Sequence, residues 1–331
     1  MKVAVFSSKP YDNTHLTTVN ENTHELFFIE APLNEQTAIL SKGFDAVCGF
    51  VNDTLNATVI NTLKDNGIKL IAMRCAGFNN VDLAAAEAAG ILVTRVPEYS
   101  PFAVAEHAVA LLLALNRNIH RAYNRVRENN YSLHGLIGFD LHGKTVGVIG
   151  TGKIGLAFIK IMLGFGCRVI CADPYPNPDV EATDAEYVSL ETLWAQSDII
   201  SLHCPLLPST RHIVNSNSIH QMKDHVTLIN TSRGALIDTR AVIDGLKSGK
   251  IGNLGLDVYE EEADLFFENN SNEILRDDQL ARLLSFLNVI VTGHQAFFTK
   301  EALTAIANVT INNITGFEKN DLESICIVKA Q

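Results

Sequence analysis

Short runs of consecutive apolar residues recur along the chain, separated by stretches in which apolar positions return every three or four residues. Runs of the first kind read as strands buried on both faces and stretches of the second kind as helices. Their alternation produces parallel sheets covered by helices, so the predicted class is α/β. In the first hundred residues the runs predict strands at Val3–Phe6, Leu26–Ile29, Ala46–Val51, Leu70–Met73 and Ile91–Arg95, enough for one small sheet. A second series at Thr145–Ile149, Arg168–Ala172, Ile199–Leu202, Val226–Ile229, Leu254–Asp257 and Val289–Thr292 suits a dinucleotide-binding sheet. Between the two, Phe102–Leu115 is apolar nearly all round, the pattern of a helix buried between layers, domains or subunits, with Pro101 in its first turn. Beyond Thr299, Leu303, Ile306, Val309 and Ile314 are spaced for one apolar face of a closing helix that suits either domain.

The length of 331 residues corresponds to two domains at about 150 residues each. Hydrophobic residues make up 47% and charged residues 19%, a globular composition. The net charge of −11 has the wrong sign for binding a polyanion or an anionic membrane surface, so nucleic acid is not the expected partner. A small anionic substrate stays open, because a few arginines and backbone N–H groups make a locally positive pocket. The longest apolar run, Ala108–Leu115, falls far below the ~18 residues of a membrane helix, and the apolar stretch Val3–Phe6 is too short for a signal peptide. Six cysteines, at 48, 75, 167, 171, 204 and 326, form no CxxC pair and read as reduced thiols rather than disulfides or a zinc site, which places the protein in the cytoplasm.

Strand Thr145–Ile149 runs into Gly150-Thr-Gly-Lys-Ile-Gly155, and Ile154, Phe158, Ile161, Met162 and Phe165 then follow at helical spacing. Gly150 permits the tight turn, Gly152 lets backbone approach a pyrophosphate, and Gly155 lets the helix sit close to the strand. The next predicted strand ends in Asp173, eighteen residues past Gly155, where an acid accepts hydrogen bonds from ribose hydroxyls. The combination points to NAD. A carboxylate at 173 repels a 2′-phosphate, and Pro174-Tyr-Pro176 supplies no cation to offset it. The alternatives are flavin, whose folds usually begin with this motif, and a plain connecting turn in which Asp173 caps a loop.

Three further residues each follow a predicted strand of that sheet: Arg233, Glu262 and His294. Ligands of doubly wound sheets lie outside the carboxyl ends of the strands. Reducing a ketone leaves charge on its oxygen, and histidine is the side chain that donates and recovers a proton near neutrality, the role expected of His294. A carboxylate beside it favours the imidazolium and fixes its orientation, the role expected of Glu262. Arg233 offers a substrate carboxylate the bidentate fork that lysine lacks. Set against this, Glu262 ends a run of three glutamates that also reads as a solvated face, and Arg233 alone reads as an ion-paired surface residue. Of the other histidines, His107 reads as satisfied in the core and His203 as bonded to backbone, while His15, His24, His212, His220 and His225 read as surface residues.

The stretches 74–82, 96–107, 148–155, 201–205, 230–235, 255–259 and 293–299 together carry a resemblance to the D-2-hydroxyacid dehydrogenases, over essentially the whole chain. Within that family the sequence is similar to the lactate branch, since the Glu262-to-His294 segment, with 264–268 and Leu280–Phe286, is long. Gly293 stands where the wider family usually has proline, a departure that loosens the hinge slightly. The resemblance implies reversible NADH-dependent reduction of pyruvate to D-lactate, with Arg233 binding substrate, Glu262 as the pairing acid and His294 as acid/base. It further implies that Ala76 and Gly77 hold the substrate carboxylate through backbone N–H groups and that Tyr99 closes over the substrate, with Phe298 in the pocket. Implied cofactor contacts are Lys153, Ile154, Asp173, Cys204, Pro205, Thr231, Ser232, Arg233 and Asp257, the last near the nicotinamide amide or else a helix cap.

The family fold is a pair of doubly wound parallel-sheet domains, a Rossmann NAD-binding domain at 101–298 inserted into a flavodoxin-like substrate domain made of 1–100 and 299–331. It places the 101–115 helix where such enzymes pair, implying a homodimer or a dimer of dimers. Three other functions remain open at this point: a dehydrogenase for bulkier 2-oxo acids, a non-catalytic NAD-sensing protein of the same fold, and an enzyme that uses bound NAD for a non-redox step.

Overall fold

The computed structural model describes residues 1–262, 265–267 and 269–329. Asp264 and Glu268, the ends of the 264–268 stretch within the Glu262-to-His294 segment read above as lactate-type, lie outside the described residues. The chain divides into two compact units, one of Met1–Ser100 with Phe298–Gln331 and one of Pro101–Phe297. Phe298 goes with the first unit, where its ring meets Tyr11 edge to face at 4.8 Å.

In the first unit the strands are β1 (Lys2–Val5), β2 (Glu25–Phe28), β3 (Ala46–Gly49), β4 (Leu70–Met73) and β5 (Leu92–Thr94). Helices α1 (Pro10–Asn20), α2 (Ala57–Asp65) and α3 (Leu83–Ala89) connect them. All five strands pair in parallel, in the order β2-β1-β3-β4-β5 of flavodoxin-like sheets. Caps explain where two of these helices start and where one of them stops. Asn56 caps α2 through Val59 N and Asp82 caps α3 through Ala85 N, while Gly90 ends α3 at φ 69°.

The second unit begins with α4 (Pro101–Asn116) and α5 (Ile119–Arg127). Its strands are β6 (Thr145–Ile149), β7 (Arg168–Ala172), β8 (Glu186–Tyr187), β9 (Ile199–Leu202), β10 (Val226–Asn230), β11 (Ile251–Leu256) and β12 (Val289–Val291). Between them run α6 (Lys153–Gly164), α7 (Pro178–Glu181), α8 (Leu190–Gln196), α9 (Ser216–Gln221), α10 (Thr239–Ser248) and α11 (Asp278–Leu284). The order β8-β7-β6-β9-β10-β11-β12 is the doubly wound dinucleotide-binding order with one strand added beyond β11. The order in which strands are added reverses between β6 and β9, and this is where α6 begins. Two hydrophobic clusters cover the faces of the sheet. One holds Phe158 and Met162 of α6 with Leu111, Leu112 and Leu115 of α4; the other holds Trp194, Leu246 and Leu283. Most of the apolar surface of α4 is thus met inside its own unit, while Phe102 stays 61% exposed.

After the second unit, α12 (Lys300–Glu318) and β13 (Ile327–Val328) complete the first one. The buried face of α12 runs through Ala302, Leu303, Ile306, Ala307, Thr310, Ile311 and Ile314, with Val309 only half-buried, and it packs on α1 and β4. The expected strands are all present, with ends displaced by up to three residues. Two strands go beyond expectation: β8 at one edge of its sheet, and β13, which pairs antiparallel with β5. Each has two residues, too few to show a period. Among the described residues no single helix is long and apolar enough to cross a membrane.

Candidate active site

The glycine turn joins β6 to α6. Gly150 has φ 95°, and a Cβ there would lie 2.5 Å from Cys204 N, so the turn needs glycine both for its dihedral and for its approach to the end of β9. A Cβ on Gly155 would lie 2.1 Å from Gly150 O, which is why α6 can seat against the turn only with glycine at that position. A Cβ on Gly152 would meet nothing within 4 Å. Gly152 therefore borders open space at the positive end of α6, beside the exposed Lys153 and half-buried Ile154.

Asp173 follows β7, and its Oδ2 accepts hydrogen bonds from Thr151 N (2.7 Å) and Thr151 Oγ1 (3.1 Å), its Oδ1 from Tyr175 N (2.9 Å). A carboxylate has about four acceptor positions, so it holds the turn and keeps capacity for one more donor. Ser232 donates to the carbonyl of Cys204 at 2.7 Å, tying the ends of β10 and β9 together. Thr231 Oγ1 is buried and has no partner among the described residues. Burial pushes the Cys204 thiol up to about 11, so it stays neutral, and Pro205 beside it is exposed. His203 departs from expectation: its Nε2 pairs with the Ser201 hydroxyl at 2.9 Å rather than with backbone, and burial pushes it down to about 3.

Glu262 and His294 come together. Glu262 Oε1 is 2.9 Å from His294 Nδ1, and Glu262 Oε2 accepts from Tyr259 N at 2.8 Å, so the carboxylate is held by its own turn. With Nδ1 engaged, Nε2 of His294 is the nitrogen left for proton exchange. The histidine backbone is in the left-handed region at φ 54°, its N–H donates to Asp257 O at 2.8 Å, and the Phe267 ring stands 5.5 Å from the imidazole. Arg233 follows β10 and is half-buried, with Nη1 donating to Ser232 O at 2.8 Å. The next residue, Gly234, packs so closely on Tyr259 that a Cβ would lie 2.1 Å from the Tyr259 carbonyl. The Arg233 turn and the Tyr259–Glu262 turn thus lie against one another. Asp257 is fully buried, and its carboxylate accepts from Thr292 Oγ1 (2.5 Å), Gln295 N (2.9 Å) and Ala296 N (2.8 Å). Its oxygens are spent on the turn that carries His294.

Ala76, Gly77, Tyr99 and Phe298 belong to the other unit. The carbonyl of Ala76 accepts from Arg95 at 3.1 Å and that of Gly77 from the Cys75 thiol at 3.2 Å, while neither N–H donates to a protein acceptor among the described residues. Arg74, just before them, is fully buried, with Nε 3.1 Å from Asp12 Oδ1 and Nη2 donating to Ser7 O at 2.8 Å. Tyr99 is half-buried and Phe298 exposed.

Sequence reasoning gave no part in the site to His107, Thr292 or Glu260, and misjudged one histidine elsewhere. His107 bonds Thr292, and His212 sits 2.5 Å from Glu260, whose other oxygen accepts from Thr239. The run of three glutamates therefore splits by role, with only Glu261 left facing solvent. His24, read as a surface residue, is buried, with Nε2 2.9 Å from Thr315 Oγ1. The one available signal was position: Thr292 is two residues before His294 and Glu260 two before Glu262.

A profile of the D-isomer specific 2-hydroxyacid dehydrogenase NAD binding domain matches residues 109–296. The chain is 53% identical over 322 residues to D-lactate dehydrogenase of Escherichia coli (strain K12), covering 97% of this chain and 98% of that one. The apo structure of the Escherichia coli enzyme superposes with TM-score 0.89 at 52% identity, over 97% of this chain and 98% of that one. A D-lactate dehydrogenase from Aquifex aeolicus complexed with NAD and lactic acid gives TM-score 0.87 at 34% identity, over 99% of both chains. A glycine turn shaped for a dinucleotide, a histidine paired with a glutamate at the ends of adjacent strands, and these full-length likenesses have one meaning: the chain belongs to the D-isomer specific 2-hydroxyacid dehydrogenases.

Proposed function

We propose that this protein catalyses pyruvate + NADH + H⁺ ⇌ D-lactate + NAD⁺. The observation that carries the reading is the His294–Glu262 pair at 2.9 Å, in a chain whose relatives of near-equal length include D-lactate dehydrogenases. The open cradle at Gly152, the spare acceptor position of Asp173 and the orphaned Thr231 hydroxyl suit NAD, and the Asp173 carboxylate disfavours a 2′-phosphate. Gly150, Gly152, Lys153, Ile154, Gly155, Asp173, Cys204, Pro205, Thr231 and Ser232 would hold the cofactor. When bound, the reduced nicotinamide supplies hydride to the carbonyl carbon.

The chain's own residues manage the proton and the substrate's charge. His294 gives its Nε2 proton to the carbonyl oxygen as the C–H bond forms, and takes it back in the reverse direction. Glu262 holds Nδ1, so that the ring keeps one orientation and its positive form has a partner. Arg233 takes the substrate carboxylate by its fork, and in the other unit the Ala76–Gly77 N–H groups would suit an anion.

We also propose a homodimer or dimer of dimers in the cytoplasm. Ile119, Tyr123 and Val126 of α5, with Tyr131, Leu133 and Ile137 after it, are all more than half exposed, which supports this segment as the pairing surface. Light scattering should give a multiple of the 36.2 kDa chain mass.

The activity test mixes purified protein with NADH and pyruvate, follows nicotinamide absorbance, and identifies the product with an enantiomer-specific oxidase. Rapid oxidation yielding D-lactate is expected. Faster turnover of 2-oxoisocaproate or phenylpyruvate would move the substrate to a bulkier 2-oxo acid. Tight NADH binding without oxidation of any 2-oxo acid would make the protein a sensor and end the proposal.

A further inference from the structure

The turn that carries His294 hangs from one buried side chain. Asp257 takes the N–H groups of Gln295 and Ala296 on its carboxylate and that of His294 on its carbonyl, so three consecutive residues are fixed by a single aspartate. His294 sits at φ 54°, a backbone conformation that a non-glycine residue keeps only where its surroundings hold it.

Behind Asp257 stands a group with no role in the mechanism so far. His107 Nε2 lies 3.0 Å from Thr292 Oγ1 and 3.3 Å from Asp257 Oδ1. The Thr292 hydroxyl has one proton and is 2.5 Å from Asp257 Oδ1, a carboxylate oxygen that only accepts. The hydroxyl proton therefore points to Asp257, a far nearer acceptor than Leu256 O at 3.4 Å, and Nε2 of His107 is the donor, to Thr292 Oγ1 at 3.0 Å and toward Asp257 Oδ1 at 3.3 Å. His107 is delivered by α4, which packs tightly on β11: a Cβ on Gly255 would lie 3.2 Å from both Leu111 and Leu115. The relay thus starts on a buried helix and ends on the turn of the acid/base residue.

We propose that His107 is a positioning residue for the reaction: by donating through Thr292 to Asp257 it fixes the 294–296 turn, and with it the direction in which His294 meets Glu262 and the substrate. This rests on the reading of His294 as the acid/base group.

The test compares wild type with His107→Leu, which removes the donor, and His107→Gln, whose amide nitrogen reaches to about the place of Nε2. The Leu variant should lose about tenfold in kcat, the worth of one buried hydrogen bond, with KM for NADH and pyruvate near the wild-type values. The Gln variant should recover most of that loss. Hydrogen exchange at the amides of Gln295 and Ala296 should quicken in the Leu variant and stay at the wild-type rate in the Gln variant, whereas a general loosening would raise exchange throughout α4. Thr292→Val breaks the same relay without touching the helix, so it serves should the Leu variant fail to fold, and the double variant should be no worse than either single one. Wild-type kcat in the Leu and Val variants, a loss that Gln does not recover, or unchanged exchange at 295 and 296 would overturn the proposal. Should wild type reduce no 2-oxo acid, the functional reading fails by itself, and the exchange rates still decide whether His107 fixes the turn.

Discussion

Gly152 and Gly155 stand three residues apart in the same turn, and the structure assigns them opposite consequences. At Gly152 the backbone is at φ −63° and ψ −170°, open to alanine, and the added methyl meets nothing within 4 Å. Losing glycine at a helix N-cap costs a few tenths to about 1 kcal/mol, and stiffening the unfolded chain returns about 0.4–1 kcal/mol. Gly152→Ala should therefore fold with a stability within about 0.5 kcal/mol of wild type. At Gly155 the methyl would stand 2.1 Å from Gly150 O, so α6 must retreat by roughly an ångström. Overpacking of that kind costs about 1–3 kcal/mol, which for a unit of this size lowers Tm by roughly 2–10 °C.

Binding should separate the two variants in a different way. The space beside Gly152 is where a pyrophosphate approaches the first turn of α6, so its methyl should weaken NADH by about tenfold to a hundredfold. Calorimetric melting without cofactor and NADH fluorescence titration read the two quantities independently. Wild-type NADH affinity in Gly152→Ala would refute the placement of the dinucleotide, and a wild-type melting curve for Gly155→Ala would refute the packing argument.

The remaining predictions concern the proton, the carboxylate and pH. His294→Gln should lower kcat severely while NADH affinity holds, and retained turnover would remove His294 from the chemistry. Arg233→Lys should raise KM for pyruvate, because a point charge replaces a fork that takes both carboxylate oxygens; an unchanged KM would take Arg233 off the substrate. His203 is held down to about 3 in the fold by burial, against 6.5 when unfolded. Its contribution is complete above 6.5 and drains away as pH falls toward 3, since there the unfolded chain binds a proton that the fold refuses. Urea melts should show stability falling with a slope of up to about 1.4 kcal/mol per pH unit from this residue, and His203→Asn should flatten that limb; an identical limb in the variant would show that His203 does not cause it.

Much of this protein was legible along the chain because the relevant physics is local. A strand buried on both faces is apolar along nearly its whole length, so β4, β6, β7 and β9 appear in the sequence with the boundaries they have in the fold. The dinucleotide turn is equally local: a left-handed Gly150 and a crowded Gly155 both favour glycine over any residue with a Cβ. What the chain does not display is anything that depends on which strands become neighbours. Glu262 and His294 meet because β11 and β12 pair in parallel and deliver both turns to the same edge. Glu262 was named in advance as the partner of His294, yet it is the pairing of the two strands that brings it and not Glu260 or Glu261 to the imidazole. His24 looked solvated, yet Thr315 and Glu318, brought in by α12 from the far end of the chain, bury it. Strands β8 and β13 have two residues each and exist only because a sheet edge was there to accept them. The relay from His107 through Thr292 to Asp257 joins residues from three elements, and only packing α4 against β11 decides that a histidine on a buried helix ends beneath the acid/base turn.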